Sequence, residues 1–268
     1  MTKIKLWISD IDGTLMNYDG SFTKRMKEVI DRINKSEVKL ILATGRMFMG
    51  AEFVAKKFNL NNPIICYQGA VVRTKDEILW QAPVDLKITK EIIEFLREKN
   101  IHTHIYNNDV LYVEDDNKRI MSEYCDNRGT TYEVVNFDDI KLENVPKILA
   151  VIEDKVLMQQ IKQELSEKYK DVLTIVQSSP KYLEINDKNA SKGNALNFLK
   201  EYYNVSTQEI LASGDQDNDI EMLKNAGIKV VVGQNSPELL KIATHKCKSV
   251  DSDELPELIE GFVLWELE

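Results

Sequence analysis

The sequence predicts an α/β protein: a doubly wound parallel sheet interrupted by an α+β insert. Three observations carry that expectation. Short apolar strands alternate with amphipathic helices at both ends of the chain. The middle breaks this rhythm with short strands, helices and many polar turns. Clusters of Asp, Gly and Thr follow the strands, where open α/β sheets place their ligands.

The elements follow in order. Ile4, Leu6 and Ile8 alternate with Lys5 and Trp7 and end at Asp10, a short strand buried on both faces. Met26, Val29, Ile30 and Ile33 recur at helical spacing between Thr23 and Asn34, with Thr23 as N-cap. Val38 to Ala43 is a second strand, closed by Thr44-Gly45-Arg46 and followed by a helix from Phe48 to Phe58. Pro63 to Tyr67 is a third strand. Trp80 to Val84 reads as a connector. A helix from Glu91 to Lys99 follows, then strands His102–Tyr106 and Val110–Val113 joined by the hairpin turn Asn107-Asn108-Asp109. Strand Lys147–Glu153, helix Lys155–Tyr169 and strands Leu173–Gln177 and Tyr182–Ile185 complete the insert. The βα rhythm then resumes: helix Gly193–Tyr203, strand Ile210–Ser213, helix Asp219–Ala226, strand Lys229–Gly233 and helix Pro237–Ala243. Residues 1–83 and 189–268 therefore form one expected core, with 84–188 inserted.

Composition bounds the function. The chain has 268 residues, 43% hydrophobic and 29% charged, an ordinary globular balance. Its 35 Lys and Arg against 44 Asp and Glu give a net charge of −9, which argues against a nucleic-acid binder. No apolar run approaches the roughly 20 residues of a membrane span, and the N-terminal stretch is too short and too acidic for a signal peptide. Cys66, Cys125 and Cys247 are few and far apart, so three reduced thiols in a soluble cytoplasmic protein are expected.

The chemistry concentrates in four clusters. Asp10-Ile11-Asp12-Gly13-Thr14 closes the first strand. Two carboxylates at i and i+2 repel unless a cation lies between them, and Mg²⁺ suits such oxygen ligands; the bland alternative is an acidic turn. Gly214-Asp215-Gln216-Asp217-Asn218-Asp219 follows another strand and opens a helix. Capping alone explains one Asp there but not three with Asn218. An EF-hand loop is excluded because the closing glutamate is missing. Thr44 and Gly45 offer a hydroxyl and amides to a phosphate oxygen, or form a plain strand-to-helix turn. Lys192 in Ser191-Lys192-Gly193 starts a helix, where a lone Lys is otherwise a solvated surface residue. Together the clusters supply a carboxylate nucleophile, an acid/base neighbour, a metal site, a hydroxyl and a cation, the set that phosphoryl transfer through an aspartyl-phosphate requires.

In these four motifs the sequence resembles the haloacid dehalogenase-like superfamily, in its Cof-type sugar-phosphate phosphatase branch. The resemblance implies a Rossmann-like core, an α/β cap in the insert and a Mg²⁺-dependent phosphomonoesterase acting on small phosphorylated metabolites. It implies Asp10 as nucleophile and Asp12 as acid/base. Asp10, the Asp12 carbonyl, Asp215 and Asp219 would serve the metal, and Thr44, Gly45, Lys192 and Asn218 the phosphate. The cap would close over the substrate, with the segment Ser178–Glu184 reaching the leaving group. A phosphosugar mutase shares these motifs and this cap type; a non-catalytic metabolite sensor would keep the fold, but the intact Asp10, Asp12, Thr44, Lys192, Asp215 and Asp219 set argues against it; a dehalogenase would leave Asp12 and the metal carboxylates without a task. The expected partner is a small metabolite, with the chain a monomer or weak homodimer. Two loops depart from the branch: Gln68-Gly69-Ala70 stands where Asn-Gly-Ala is frequent, and Gln234-Asn235-Ser236 where Gly-Asn-Ala is frequent. His102 and His104 share one strand face, read as exposed. His245 has no recognisable partner, Trp7, Trp80 and Trp265 read as packing residues, and Asp251–Glu260 reads as a solvated helix.

Overall fold

The computed structural model describes residues 2–125, 130–233 and 235–264. Gln234 and Trp265, both singled out above, lie outside them. Two compact units divide the chain: Met1–Arg46, Ala51–Trp80 and Ser191–Glu268 form one, Met47–Gly50 and Gln81–Ala190 the other.

The chain begins with β1 (Leu6–Ser9), α1 (Lys24–Ile33), β2 (Lys39–Leu42), α2 (Phe48–Lys57), β3 (Ile64–Cys66), β4 (Val71–Arg73) and β5 (Ile78–Gln81), all in the first unit except Phe48–Gly50 of α2 and Gln81 of β5. The second unit carries α3 (Leu86–Glu98), β6 (His102–Asn107), β7 (Val110–Val113), α4 (Lys118–Cys125), β8 (Glu133–Val134), β9 (Ile148–Val151), α5 (Lys155–Lys168), β10 (Leu173–Ser179) and β11 (Tyr182–Asp187). The chain then returns through α6 (Lys192–Tyr202), β12 (Ile210–Gly214), α7 (Ile220–Lys224), β13 (Ile228–Val232), α8 (Pro237–Ile242), β14 (His245–Cys247) and α9 (Glu254–Ile259).

The core sheet has the order β14-β13-β12-β1-β2, with every neighbouring pair parallel. All four residues of β1 are buried, so both faces of this central strand are covered. Leu6 and Ile8 join Ala195, Leu196 and Leu199 of α6, Met222 and Leu223 of α7 and Leu239 of α8 in one apolar cluster. Thr23 caps α1 by accepting from the Met26 amide at 3.1 Å, and Met26, Val29, Ile30 and Ile33 are its buried stripe. Each such side chain contributes about 1.5–3 kcal/mol of burial. A second sheet, β3-β4-β5, joins the core through the parallel bridge Ala43–Ile65.

In the second unit the sheet order is β10-β11-β9-β6-β7-β8, antiparallel except for β7 with β8. Ile92, Ile93 and Leu96 of α3 and Met158, Ile161 and Leu165 of α5 cover one face.

The structure revises several readings. Trp80 and Gln81 are not connector but the end of β5, and Trp80 stacks on Phe198. His102 and His104 do share a face, with ring centroids 5.1 Å apart, but that face is covered: His104 is fully buried and packs edge-on against Tyr124 of α4. The segment around α9 is amphipathic rather than merely solvated. Leu255, Pro256 and Ile259 are buried, and Glu260 bridges Arg25 and Arg32 of α1. His245 finds Thr244 Oγ1 at 3.0 Å and the Phe262 ring. All three cysteines are buried, and none forms a disulfide among the described residues. Among the described residues, no helix is long and apolar enough to cross a membrane.

Candidate active site

Strand register creates the site. β1 pairs in parallel with β12 so that Ser9 lies opposite Ser213, and the Asp10 amide donates to the Ser213 carbonyl at 2.9 Å. The next residues of the two strands are therefore Asp10 and Gly214, with Asp215 just beyond. On the other side Ser9 lies opposite Leu42, which carries the chain to Ala43 and Thr44. Below this rim a buried relay fixes the strands: Trp7 Nε1 donates to Ser213 Oγ at 2.9 Å, and Ser213 Oγ donates to Ser9 Oγ at 2.6 Å.

One carboxylate oxygen each of Asp10, Asp215 and Asp219 lies within 4.8 Å of the others. The side chains of Asp10 and Asp219 are 10% and 1% exposed, and the Lys192 side chain between them is fully buried. Lys192 Nζ donates to Asp10 Oδ1 at 2.5 Å and to Asp219 Oδ1 at 2.7 Å. Asp219 Oδ2 accepts from the amides of Asp215 and Gln216 at 3.0 and 3.1 Å, which folds the loop after β12 around it. Asp215 is oriented from above: Thr14 Oγ1 donates to its Oδ1 at 3.0 Å and the Tyr18 hydroxyl to its Oδ2 at 3.1 Å.

Burial pushes the Asp10 carboxyl well above the ordinary aspartate value; Lys192 opposes that shift, and Asp219 and Asp215 add to it. Asp215 rises for the same first reason, burial, with Asp219 next, while the Thr14 and Tyr18 hydrogen bonds and Lys192 oppose it. Burial alone would lower the Lys192 ammonium, but Asp10 and Asp219 outweigh it and the net shift is upward. The Tyr18 side chain is exposed as a whole, but desolvation at its hydroxyl and the neighbouring Asp215 push that hydroxyl up to about 12, so it stays a donor.

This donor set fits a divalent cation. Three carboxylates face one ammonium, so 3 − 1 leaves two negative charges without a cationic partner among the described residues. Every ligand offered is a hard oxygen, the preference of Mg²⁺ or Ca²⁺ rather than a soft metal.

Asp12 is elsewhere. Its side chain is not in the carboxylate trio; both its oxygens accept from Arg46, with Nε to Oδ2 at 2.8 Å. Asp217 is not in the trio either, and its Oδ1 accepts from Ser236 Oγ. Thr44 is buried, and its Oγ1 accepts from the Arg46 amide at 3.1 Å. Asn218 Nδ2 donates to Gln68 Oε1 at 2.8 Å. The structure thus brings Asp10, Asp215, Asp219 and Lys192 into contact, sets Asp12 on Arg46, and ties Asn218 to the turn after β3.

Arg46, Tyr18, Gln68 and Asn235 were not in the expected site set. Arg46 ends the Thr44-Gly45-Arg46 motif, and its charge two residues after Thr44 is the available signal. Asn235 Nδ2 donates to the carbonyls of Asp215 and Val232. Tyr18 gives no pattern at all, because it sits on an irregular turn and is 68% exposed.

A Haemophilus influenzae protein provisionally named a phosphatase is 28% identical over 253 residues, covering 93% of this chain and 94% of its own. A Bacillus subtilis 5-amino-6-(5-phospho-D-ribitylamino)uracil phosphatase is 26% identical over 278 residues, covering 94% and 95%. Among solved structures, a haloacid dehalogenase-like hydrolase from Bacteroides thetaiotaomicron superposes with a TM-score of 0.89 at 25% identity, covering 97% of this chain and 99% of that one. The family profile described as haloacid dehalogenase-like hydrolase matches residues 7–259, and it agrees with the parallel sheet and the acidic site at its carboxyl edge. The chain belongs to the haloacid dehalogenase-like hydrolase family.

Proposed function

We propose that this chain is a Mg²⁺-dependent phosphatase that hydrolyses phosphomonoesters of small metabolites, sugar phosphates foremost, through a phosphorylated Asp10. The coarser statement, a phosphatase of the haloacid dehalogenase-like family, rests on the family match and on the phosphatase relatives. The observation that carries the finer reading is the contact of Lys192 with both Asp10 and Asp219 inside a carboxylate trio.

Asp10 Oδ1 is engaged by Lys192, and Oδ2 has no hydrogen-bond partner among the described residues. In this reading Asp10 attacks phosphorus, the bond from phosphorus to the ester oxygen breaks, and Asp12 gives the departing alkoxide its proton. Water then attacks the phosphorus of the aspartyl-phosphate. Asp12 takes that water's proton, and phosphate leaves as the Asp10 carboxylate is restored. While both Asp12 oxygens accept from Arg46, neither is offered to a leaving group. Arg46 therefore parks Asp12, and the pair must part for the acid step. Mg²⁺, held by Asp10 and Asp215 with Asp219 in support, would offset the repulsion between a carboxylate and a phosphate dianion. Lys192, Thr44, Gly45 and Asn218 are the proposed partners of the phosphoryl oxygens. The second unit is assigned substrate selection. The sugar-phosphate preference is supported by the 5-phospho-D-ribityl group in one relative's name.

The test is phosphate release from a panel of phosphorylated metabolites, with Mg²⁺ or with chelator, for wild type and Asp10→Asn. Mg²⁺-dependent release that falls by about 1,000-fold or more in the variant is expected. No release from any compound by folded protein with Mg²⁺ overturns the phosphatase reading, and isomerised sugar phosphate without free phosphate would point to a mutase.

A further inference from the structure

The turn after β3 touches three of the four motifs. Within Tyr67–Gly69 the Tyr67 amide donates to the Arg46 carbonyl at 2.9 Å, and the Gln68 amide donates to the Thr44 carbonyl at 3.1 Å. Gly69 lies against the start of α6, where an added Cβ would stand 2.1 Å from the Ser191 carbonyl carbon and 2.4 Å from the Lys192 amide nitrogen. Gln68 Oε1 accepts from Asn218 Nδ2. One side chain and three peptide units thus bind together the Thr44 loop, the Lys192 helix start and the Asn218 loop.

Gln68 holds this position at a cost. Tyr67 and Gln68 both have positive φ, 52° and 60°, a region that a glutamine seldom enters. Two consecutive left-handed residues persist only where the surroundings over-determine them, and here two backbone hydrogen bonds and a side-chain bond do so. The carboxamide also has a second half to account for. Its nitrogen, Nε2, lies 2.5 Å from the point where a Cβ on Gly45 would stand. It has no acceptor among the described residues. So Oε1 is occupied, and two N–H donors lie against Gly45, the residue after Thr44.

We propose that Gln68 is a phosphoryl-contacting and positioning residue: its Oε1 fixes Asn218 while its Nε2 donates to a phosphoryl oxygen held at the Thr44-Gly45 loop. This rests on the phosphatase reading above and deepens it. Lys192 is shared between Asp10 and Asp219, so an incoming phosphate dianion needs further donors that carry no charge to be neutralised. A glutamine suits both tasks because its reach spans Asn218 and Gly45 at once; an asparagine is one methylene shorter.

Gln68→Glu separates the two roles. It keeps an acceptor for Asn218, removes both N–H donors and adds a negative charge facing the anion. Binding of inorganic phosphate in the presence of Mg²⁺ is measured by calorimetry, and KM and kcat on p-nitrophenyl phosphate by product release. In Gln68→Glu the phosphate Kd and the KM should each rise by about 10-fold or more, with the melting temperature close to wild type. Gln68→Ala should weaken phosphate binding too, and Asn218→Ala added to it should cost less than the product of the two single effects. Gln68→Asn should recover only part of the loss. Phosphate binding and KM of Gln68→Glu within about twofold of an active wild type would overturn the proposal while leaving the phosphatase reading standing. A wild type that neither binds inorganic phosphate nor releases it from substrates would overturn both.

Discussion

Lys192 is a cation without exposed surface, and its place decides how the site is charged. A buried ammonium is tolerated only when paired, and here both Asp10 and Asp219 hold it. Removing it leaves two buried carboxylates facing each other without a counter-charge. Lys192→Met should therefore destabilise the metal-free protein by about 3 kcal/mol, read from urea unfolding in chelator. Excess Mg²⁺ should recover part of that loss while phosphate release stays abolished; a variant as stable as wild type without metal would show that the pairing contributes no stability. In the sequence this residue was the least distinctive of the set, since a Lys at a helix start has every look of a solvated side chain. Only its place in the order of four motifs marked it. Asp10 and Asp215 were legible because carboxylates directly after apolar strands have no structural purpose that one capping Asp would not serve. The Asp12–Arg46 pair was not legible, because i to i+34 contacts across two loops leave no local spacing to read.

At the scale of elements, the turn Tyr67–Gly69 shows how a short irregular segment sets the spacing of larger ones. Gly69 has φ +93° and touches the Ser191 backbone; Gly20 has a similar φ of +84° but only the tip of Met16 nearby, 3.9 Å from an added Cβ. The two glycines separate conformational strain from steric clash. Gly20→Ala should cost about 1–2 kcal/mol, the price of a positive φ alone. Gly69→Ala should cost at least about 2 kcal/mol more, because backbone rather than a flexible side chain must move. Comparable melting temperatures for the two variants would mean that the α6 start can slide without penalty. The strands and helices that sequence reading found were those with a period: β1, α1, β2, α3 and α5 show their apolar stripe directly. The ones it missed, β4, β5, α4, β8 and β14, are short or lack a clean stripe. β5 is half-exposed throughout, so its side chains alternate too weakly to separate strand from connector, and Pro83 just beyond strengthened the wrong reading.

The whole molecule carries a net charge of −9, and Asp10, Asp215 and Asp219 bring three of its carboxyl groups together. The fold class could be read because βα units recur on both sides of the insert, a long-range pattern that survives local errors. What the pattern could not give is the protonation of the site. Burial raises both Asp10 and Asp215 above their ordinary value of 3.8. The folded state therefore keeps protons on these groups that the unfolded chain has already released. Where the folded state binds more protons, raising the pH costs stability. Their contribution is fully present below 3.8 and is lost as the pH rises through the folded-state values. A divalent cation reverses the balance, because it binds the ionised trio of the folded state and nothing equivalent in the unfolded chain. Thermal unfolding at about pH 5 and about pH 8, in chelator and in excess Mg²⁺, should show a small metal-induced rise at the lower pH and a large one at the higher. At a free concentration one hundred times Kd the stabilisation is about 2.7 kcal/mol. Asp10→Asn should reduce both the pH dependence in chelator and the response to Mg²⁺, since it removes one raised carboxyl and one metal oxygen together. A metal-induced shift equal at the two pH values, or equal in Asp10→Asn, would mean that the cation binds outside the trio.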